Sequence, residues 1–410
     1  MQAIQVDDVM THLPRFLLSK ALGSIYHPAF WGPWSLAGYR EVAKPELPGP
    51  GWVRIKTRYG GICGSDMNLV RLDFNLALAH LVSFPFILGH ENVGVVAEVG
   101  EGVTGLVAGD RVVADPVLSC ATRGIEQPCE FCRRGTYSLC LNLDKGSLSP
   151  GLAIGFCHDT GGSWAEYFVA HQEQIVLIPD NVSDESALMV EPLSVALRAA
   201  MHDLPGDSDT ALVMGAGVSG LCAVAALRGL GSHCHLLVVA KYPYQERLAL
   251  EFGADRVIQL GDRDLLEVVA EETDGTIHRS ALGHKHLEGG ADQVYECVGS
   301  GRSVGDSLSV TRPGGTVVLL GLAAMLKRVD WTRIWLNELT VKGSVWGSGL
   351  MPDDRRLRAA QLAVEWMAEE RLDLSSMVTH RFDLGDYRQA FNIAAHKSEH
   401  QVVKAAFKFE

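Results

Sequence analysis

Three cysteines near the first third of the chain have the spacing of a metal site. In the stretch PCEFCRRGTYSLC, two residues separate Cys129 from Cys132, and seven residues separate Cys132 from Cys140. Two thiolates on one turn of the chain can bind the same metal ion, and a later thiolate can contribute to its tetrahedral coordination. The fourth ligand is predicted to be Cys120, with Glu126 as the alternative, and a loop of reduced thiols is the remaining interpretation. A zinc ion held by four thiolates has no open position, so it would stabilise a loop.

A second set of candidate ligands comes from distant parts of the chain. Cys63 lies in the polar turn GGICGSDMN, and His90 and Glu91 are adjacent in LGHENVG. Glu191 lies in VEPLSVAL, where its ordinary interpretation is an acid favoured by a helix N-terminus. A catalytic metal needs few protein ligands and one labile position. Thiol, imidazole and carboxyl groups together therefore predict a catalytic metal site.

The string GAGVSG has the pattern of a dinucleotide-binding loop. It follows the apolar run ALVM and precedes the helical pattern LCAVAALRGLG. A strand, a glycine-rich turn and a helix in this order bring backbone N–H groups close to a pyrophosphate. A glycine-rich turn without a ligand is the alternative. The candidate contacts are Gly215, Ala216, Gly217, Val218, Ser219 and Gly220.

The end of the next apolar run indicates which dinucleotide is preferred. An acid that holds the ribose 2′-hydroxyl is expected about 20 residues after the glycines. Ala240 stands there instead, and Lys241 follows it. Because no acid would repel a 2′-phosphate and Lys241 could pair with one, we predict a preference for NADP over NAD. The alternative is that Lys241 only points to solvent.

The elements that must position these residues are of two kinds. Residues 40–180 are β-rich, with alternating patterns in WVRIKTRYGGI, NVGVVAEVGEGV and DRVVADPV. From about 210 to 345, apolar runs alternate with helical patterns, which predicts βαβ units and a parallel sheet. We expect a helix in DDRRLRAAQLAVEWMAEER, a final strand in VVKAAFKF and a long loop over 274–290.

Length and composition exclude several classes of function. A chain of 410 residues, 47% of them hydrophobic, suggests at least two domains with large cores. A net charge of -13 argues against nucleic acid and anionic membranes as partners. We expect neither a signal peptide nor a membrane span. Nine cysteines, an odd number, favour reduced thiols and metal ligands, so the expected location is the cytoplasm.

In combination these motifs resemble the zinc-dependent medium-chain dehydrogenase/reductase family, particularly its alcohol, sorbitol and threonine dehydrogenase branch. The resemblance covers residues 35–410, while the first 30 residues and the 274–290 segment look unusual. It implies an α/β fold with two domains. One is a GroES-like β-rich catalytic domain over 1–192 and 346–410, and the other a Rossmann doubly wound parallel-sheet domain over 193–345. The matching stretches are GICGSD at 61–66, LGHENVGVVAEVGEGVTGLVAGDRVV at 88–113, the cysteine lobe, EPLSVALRA at 191–199, GAGVSG at 215–220, YECVGS at 295–300 and RPGGTVVLLGL at 312–322.

The resemblance also implies ligands for a catalytic zinc. Cys63 and His90 match two of the family's metal ligands. Glu91 and Glu191 match two acids near the metal, of which one binds it and the other can hold a water; the sequence does not separate them. In alcohol dehydrogenase the ligand set is two cysteines and a histidine. Glu191 stands at the position of the second cysteine, which favours a polyol-type site.

Further roles follow from the same resemblance. Ser65 matches the hydroxyl that hydrogen-bonds the substrate oxygen and begins proton transfer, and Asp66 is expected to be structural. Many relatives have a proton-relaying histidine where this chain has Asn68, which does not titrate. We expect the relay to run through Ser65 and water. Additional cofactor contacts are implied at Cys297, Val298, Leu320 and Gly321.

The implied activity is a zinc-dependent transfer of hydride between NAD(P) and a secondary alcohol, polyol or sugar, which interconverts alcohol and ketone. One alternative is another reaction of the family, such as double-bond reduction or a lyase step. The other is a cofactor-binding protein without catalysis. The expected partners are a small alcohol or ketone substrate and further copies of the chain, as a homodimer or homotetramer.

Overall fold

A computed structural model of the chain describes residues 1–73, 75–261, 263–349 and 358–410. Its strands in chain order are β1 (Gln2–Val6), β2 (Ala37–Glu41), β3 (Trp52–Ile62), β4 (Phe86–Ile87), β5 (Asn92–Val99), β6 (Arg111–Ala114), β7 (Tyr167–His171), β8 (Ile175–Leu177), β9 (Thr210–Met214), β10 (His235–Ala240), β11 (Arg256–Gln259), β12 (Thr276–Arg279), β13 (Lys285–Glu288), β14 (Ala291–Glu296), β15 (Thr311–Leu319), β16 (Thr340–Gly343), β17 (Val378–Phe382) and β18 (Lys404–Lys408). Its helices are α1 (Leu13–Ile25), α2 (Gly64–Val70), α3 (Glu130–Arg133), α4 (Asp184–Leu188), α5 (Val190–Met201), α6 (Val218–Gly229), α7 (Pro243–Glu251), α8 (Leu265–Glu272), α9 (Gly301–Val310), α10 (Thr332–Leu336), α11 (Ala359–Ala368), α12 (Tyr387–Ala395) and α13 (Lys397–His400).

The chain divides into two compact units. Met1–Glu191 and Ser348–Glu410 form the first, here called the β-rich unit, and Pro192–Gly347 form the second, here called the parallel-sheet unit. The division falls inside α5, directly after Glu191. Within the described ranges, no helix of either unit is long and apolar enough to span a bilayer.

The β-rich unit is built on a seven-stranded sheet. Its order is β17-β18-β3-β5-β6-β8, and β7 pairs with the first half of β3. Ala405 of β18 lies opposite Ile62 at the end of β3, and Gly60 of β3 lies opposite Asn92 at the start of β5. Three strand ends therefore meet at one place. Cys63 and Glu91 directly adjoin two of these strand ends, and Lys404 begins the third strand.

A second, three-stranded sheet of this unit has the order β2-β1-β4. Val6 at the end of β1 lies opposite Ala37 at the start of β2, so residues 7–36 leave the sheet and return to it at the same point. This 7–36 segment contains α1. Phe30 and Trp31 from it pack into the buried core beside Met67 of α2.

The parallel-sheet unit confirms the predicted βαβ alternation. Its six strands, in the order β11-β10-β9-β14-β15-β16, are all parallel. Helices α6 to α9 lie between them in sequence. Because parallel strands end at the same edge of a sheet, the loops after β9, β10, β14 and β15 lie side by side. These four loops carry the predicted cofactor contacts.

The prediction of a long loop over 274–290 is wrong. This segment contains β12 and β13, an antiparallel pair in which Ile277 lies opposite Leu287. Leu287 is buried in the core of the parallel-sheet unit, and Lys285 bonds Asp264 and Glu267 at 2.9 and 2.7 Å. These contacts stabilise strands whose polar composition hides the apolar alternation. For the predicted C-terminal helix, the structure has α11, and residues 353–357 of that prediction lie outside the described residues.

Candidate functional site

Cys63 occupies the junction between β3 and α2. Its backbone is extended and it precedes the first residue of the helix. The carboxylate of Asp66, one turn into the helix, accepts the Cys63 N–H at 3.1 Å. Asp66 is fully buried, so this bond fixes the turn that carries Cys63.

His90 is held by the other oxygen of the same carboxylate. Its Nδ1 donates to Asp66 Oδ1 at 3.1 Å, and both side chains are buried. Burial lowers the pKa of His90, but Asp66 and the Cys63 sulfur outweigh burial and hold that pKa well above its ordinary value. Because Nδ1 is bound to Asp66, Nε2 is the nitrogen that would bind a metal. Gly89 permits this course of the chain, because a Cβ there would lie 2.4 Å from the Trp164 ring.

Glu91 lies in a buried ion pair that was not predicted from the sequence. Lys404 Nζ donates to both carboxylate oxygens at 2.5 Å, and the two side chains are 1% and 2% exposed. Burial lowers the pKa of Lys404, but Glu91 and Cys63 raise it beyond its ordinary value, so the lysine is charged. Lys404 also lies 3.5 Å from the Ile62 carbonyl oxygen.

These residues bring a metal-binding donor set together. The ligand atoms of Cys63, His90 and Glu91 all lie within 4.8 Å of one another. A thiolate, an imidazole and a carboxylate are ligands that zinc accepts, and three ligands leave a position open. The donor set therefore fits a catalytic zinc.

Glu191 lies outside that cluster of three but interacts with it. Burial raises the pKa of Glu191 to about 7; His90 and Lys404 oppose the shift, while Glu91 adds to it. The side chain is thus a carboxyl group beside the donor set that changes charge near neutral pH. A cation in the cluster would favour its ionised form.

Glu191→Gln is expected to remove a pH dependence of stability in the metal-free protein. The pKa of Glu191 is about 7 when folded and lies at the ordinary value of about 4.5 when unfolded. Between these values the folded state binds a proton that the unfolded state has released, so stability falls as pH rises through this window, by roughly 3 kcal/mol. Thermal unfolding at pH 5 and pH 8 measures the difference. The exposed Glu173→Gln should retain the wild-type dependence, and equal slopes in wild type and Glu191→Gln would contradict this assignment.

The four predicted cysteine ligands also converge. The sulfurs of Cys120, Cys129, Cys132 and Cys140 all lie within 4.8 Å of one another, with Cys120 and Cys140 at 3.6 Å. Glu126 is not part of this cluster in the described structure. The Cys132 thiol donates to Cys140 and lowers the pKa of the Cys140 thiol to about 5. Four sulfurs grouped this closely fit a closed zinc site.

Arg123 secures the lobe around these sulfurs. It is fully buried, and its guanidinium donates to carbonyl oxygens of Lys145, Leu148, Ser149 and Gly151. One side chain therefore connects the segment over residues 145–151 to the turn that follows Cys120. The fold of the lobe rests on this network together with the sulfur cluster.

Cys120→Ser is expected to lower the zinc content from two ions per chain to one. The substitution removes the only ligand that precedes the Cys129–Cys140 group, and three thiolates bind a structural zinc less tightly than four. Elemental analysis after dialysis against a weak chelator measures the loss. Cys157→Ser, at a buried cysteine outside both clusters, should keep two ions. If Cys120→Ser also keeps two, another residue closes the site.

The predicted cofactor contacts lie on the four adjacent loops of the parallel-sheet unit. Residues 215–217 join β9 to α6, whose first turn contains Val218, Ser219 and Gly220. Ala240 ends β10 and Lys241 follows it, Cys297 and Val298 follow β14, and Leu320 and Gly321 follow β15. Backbone bonds connect the loops: the N–H of Cys297 donates to Met214 and that of Leu320 to Glu296, at 3.0 and 2.9 Å. The sequence thus selected residues that the fold brings to one edge.

Two glycines of the loop are required by packing and one leaves space. A Cβ on Gly215 would lie 2.4 Å from Val298, and one on Gly220 would lie 1.8 Å from the Gly215 carbonyl oxygen. Gly217 precedes the first residue of α6, and a Cβ there would meet nothing within 4 Å. The open approach to the N-terminus of a twelve-residue helix fits a dinucleotide pyrophosphate.

Two residues of the site were missed from the sequence. Lys404 lies in the predicted final strand, where an inward lysine in an otherwise apolar run was the available signal. Lys397 of α13 was also missed; burial lowers its pKa, and Cys63 and Glu91 are close enough to oppose that shift. No local motif marks Lys397. Both residues reach the site only through the C-terminal part of the β-rich unit.

Two family models match the sequence. The alcohol dehydrogenase GroES-like domain matches residues 49–180, and the zinc-binding dehydrogenase family matches residues 219–368. The first match lies in the β-rich unit and most of the second in the parallel-sheet unit. Together with the topology, these matches confirm the predicted fold class of a GroES-like domain and a Rossmann domain.

Curated and solved proteins cover most of the chain. An L-threonine 3-dehydrogenase of Deinococcus radiodurans is 30% identical over 346 residues, 84% of this chain and 88% of the relative. An L-idonate 5-dehydrogenase of Vitis vinifera is 31% identical over 354 residues, 85% of this chain and 86% of the relative. A zinc-binding dehydrogenase of Sinorhizobium meliloti 1021, solved with NADP, has a TM-score of 0.71 and 27% identity, covering 91% of this chain and 96% of that one.

Proposed function

The chain belongs to the zinc-dependent medium-chain dehydrogenase/reductase family and is an oxidoreductase, and from this premise we propose that it oxidises a secondary hydroxyl group of a polyol, sugar or related small molecule with NADP as the preferred hydride acceptor. The observation that carries the proposal is the convergence of the Cys63, His90 and Glu91 ligand atoms within 4.8 Å. In a dehydrogenase family, such a donor set beside a titrating carboxyl group supports catalysis rather than a purely structural metal.

We assign the catalytic zinc to Cys63, His90 and Glu91, and a structural zinc to the four-cysteine cluster. When bound, the catalytic zinc supplies a Lewis acid that polarises the substrate oxygen. Glu191 stays outside the ligand set and provides a carboxyl group next to it. The presence of Glu91, and not Glu191, in the 4.8 Å cluster supports this choice between the two acids.

Neighbouring side chains set the orientation and charge of the ligands. Asp66 holds Cys63 through its backbone and His90 through Nδ1, so one buried carboxylate orients both. The thiolate and Glu91 would together carry two negative charges. Lys404 offsets one of them, so the ligands do not fully neutralise a divalent cation.

Ser65 is the residue proposed to receive the substrate proton. It lies in the first turn of α2, two residues after Cys63, and is half-buried. Its hydroxyl can accept the proton of a substrate hydroxyl while passing its own to water. Asn68, one turn further along α2, has no titrating group and takes no part in this transfer.

The proposed substrate class rests on the names of two relatives. One acts on L-threonine at carbon 3 and the other on L-idonate at carbon 5, and both positions carry a secondary hydroxyl beside further polar groups. We therefore propose a secondary hydroxyl in a polyfunctional small molecule rather than a simple primary alcohol. The acid at position 191 supports the same choice.

Lys241→Ala is expected to raise KM for NADP about tenfold and to leave KM for NAD within twofold. Lys241 is exposed at the end of β10, and buried Ala240 takes the place of a ribose-binding acid. Loss of one charge-assisted bond to a 2′-phosphate costs roughly 1.5 kcal/mol. Steady-state kinetics with both cofactors tests this, and Arg279→Ala on the β12–β13 hairpin is the control. A wild-type preference for NAD would overturn the assignment.

Cofactor reduction by the purified, zinc-loaded protein tests the proposed function. NAD and NADP are supplied in parallel to secondary alcohols, polyols, sugars, sugar acids and amino alcohols, and ketones are tested in reverse with reduced cofactors. We expect turnover with at least one secondary hydroxyl, loss of turnover on chelation and recovery on adding zinc. Bound zinc and bound cofactor without turnover on any substrate would contradict the proposal.

A further inference from the structure

Helix α1 in the 7–36 segment packs against the core through Phe16 and two small residues. Its two buried residues are Ser19 and Gly23, and a Cβ on Gly23 would lie 2.5 Å from the Phe30 ring. Small residues therefore let the helix approach the core closely. A surface helix normally directs its apolar stripe toward the core and its charges toward solvent.

The two charged side chains of α1 form ion pairs with other parts of the chain. Arg15 donates to Asp7 at 2.7 Å and also bonds the Ser35 carbonyl oxygen. Lys20 donates to the Leu72 carbonyl oxygen at 2.9 Å and to Asp73 at 2.8 Å. At 100° per residue both cations flank the residues that pack against the core, and they are the only charged residues between Leu13 and Ile25.

The opposite side of the helix is apolar and exposed. At 100° per residue its side chains cover about half of the helix circumference. Among the described residues, nothing covers this surface, which we call the outer α1 face. The face includes Met10 from the turn before α1, and its large side chains have exposures of Met10 77%, Leu13 41%, Leu17 58%, Leu18 38%, Leu22 39% and Ile25 88%.

The outer α1 face is too large for an ordinary monomer surface. These six side chains expose roughly 700 Å² of apolar area, whereas the largest apolar patch on a typical monomer is about 300–600 Å². A standard protein–protein interface buries about 800 Å² on each partner. Two such faces in contact would bury on the order of 1,400 Å², which reaches the range of stable, specific interfaces.

We propose that the outer α1 face is an interface with a second copy of this chain, in which two α1 helices pack against each other about a two-fold axis. An apolar stripe without charges is complementary to itself, as a two-fold interface requires. A lipid surface fits less well, because Arg15 and Lys20 beside the apolar face are already paired with Asp7 and Asp73, and this chain has a net charge of -13. This interface is independent of the proposed catalytic function.

The 7–36 segment also lies outside the stretch that the first family model matches, which begins at residue 49. The interface therefore lies outside the matched domain. It gives a role to part of the first 30 residues, which look unusual in the sequence. Enzyme activity and assembly through α1 can accordingly be measured as separate properties.

The test is the mass in solution of Leu17→Glu/Ile25→Glu, measured by sedimentation velocity across micromolar concentrations. We expect the wild type to form an assembly whose mass the double variant reduces twofold, because the new carboxylates repel each other across the axis. Val107→Glu/Leu282→Glu is the matched control, since these side chains are 64% and 87% exposed elsewhere. It should retain the wild-type mass. Far-UV circular dichroism and the melting temperature verify that each variant folds.

If the double variant unfolds, Ile25→Asp alone replaces it, because this side chain is 88% exposed at the last position of α1. A monomeric wild type, or an unchanged mass in a folded variant, overturns the proposal. Flotation with vesicles of phosphatidylcholine and phosphatidylglycerol is run in parallel. Vesicle binding that the variant loses, with no change in mass, would assign the face to lipid and would also overturn the proposal.

Discussion

Cys63→Ser is expected to lower turnover by about three orders of magnitude or more while the chain remains folded. The thiolate is the ligand that joins α2 to the His90–Glu91 pair, and a serine hydroxyl is a poor substitute for it at neutral pH. Loss of the Lewis acid removes several kcal/mol of transition-state stabilisation, and each 1.4 kcal/mol is tenfold in rate. Steady-state kinetics with the best substrate found measures the effect.

Zinc content distinguishes this outcome from general damage. Cys63→Ser should retain one zinc per chain, in the four-cysteine cluster, whereas wild type is expected to carry two. Cys157→Ala is the control, because Cys157 is buried in the same unit but belongs to neither cluster. It should retain both ions and near-normal turnover. Two ions and normal turnover in Cys63→Ser would show that the catalytic site has been assigned to the wrong residues.

Lys404→Met is expected to destabilise the metal-free β-rich unit by about 3–5 kcal/mol, because it leaves Glu91 as an unpaired buried charge. The carboxylate is 1% exposed, so water cannot replace the ammonium group. For a unit of this size the loss corresponds to a melting temperature lower by roughly 10 °C. Denaturant unfolding or calorimetry of the chelated protein measures it.

Two further variants distinguish loss of the Glu91–Lys404 ion pair from the effect of replacing any lysine in β18. Lys408→Met changes an exposed lysine of the same strand and should shift stability by no more than about 0.5 kcal/mol. Glu91→Gln/Lys404→Met removes both charges, so it should recover much of the loss. If Lys404→Met is as stable as wild type, or the double variant is no better than the single one, the buried ion pair does not have the importance assigned to it.

Local motifs carried most of what could be predicted about the site. Only two residues separate Cys129 from Cys132, and His90 and Glu91 are adjacent, so short-range geometry already limits where their side chains lie. The glycine string could be placed because a strand, a tight turn and a helix leave few alternatives for Gly215 and Gly220. In each case the residues that act together are close in sequence.

Contacts between distant segments could not be predicted in the same way. Glu91 and Lys404 are 313 residues apart, and they meet because β18 pairs with β3 while β3 pairs with β5. No pattern in either segment specifies that register. The β12–β13 hairpin was missed for a related reason. Its strands are stabilised by Leu287 in the core and by the ion pairs of Lys285 with Asp264 and Glu267, rather than by their own composition.

The sequence by itself determined the family, the two-part α/β architecture and the candidate ligands, because each depends on residue types at short, characteristic spacings. Only the tertiary structure decided that Glu91 joins Cys63 and His90 while Glu191 stays outside, and that Cys120 rather than Glu126 completes the sulfur cluster. It also decided that α1 leaves its leucines exposed while its two cations form ion pairs. The physical reason is that side-chain charge and burial depend on which strands and helices pack together, and that packing is a property of the whole chain.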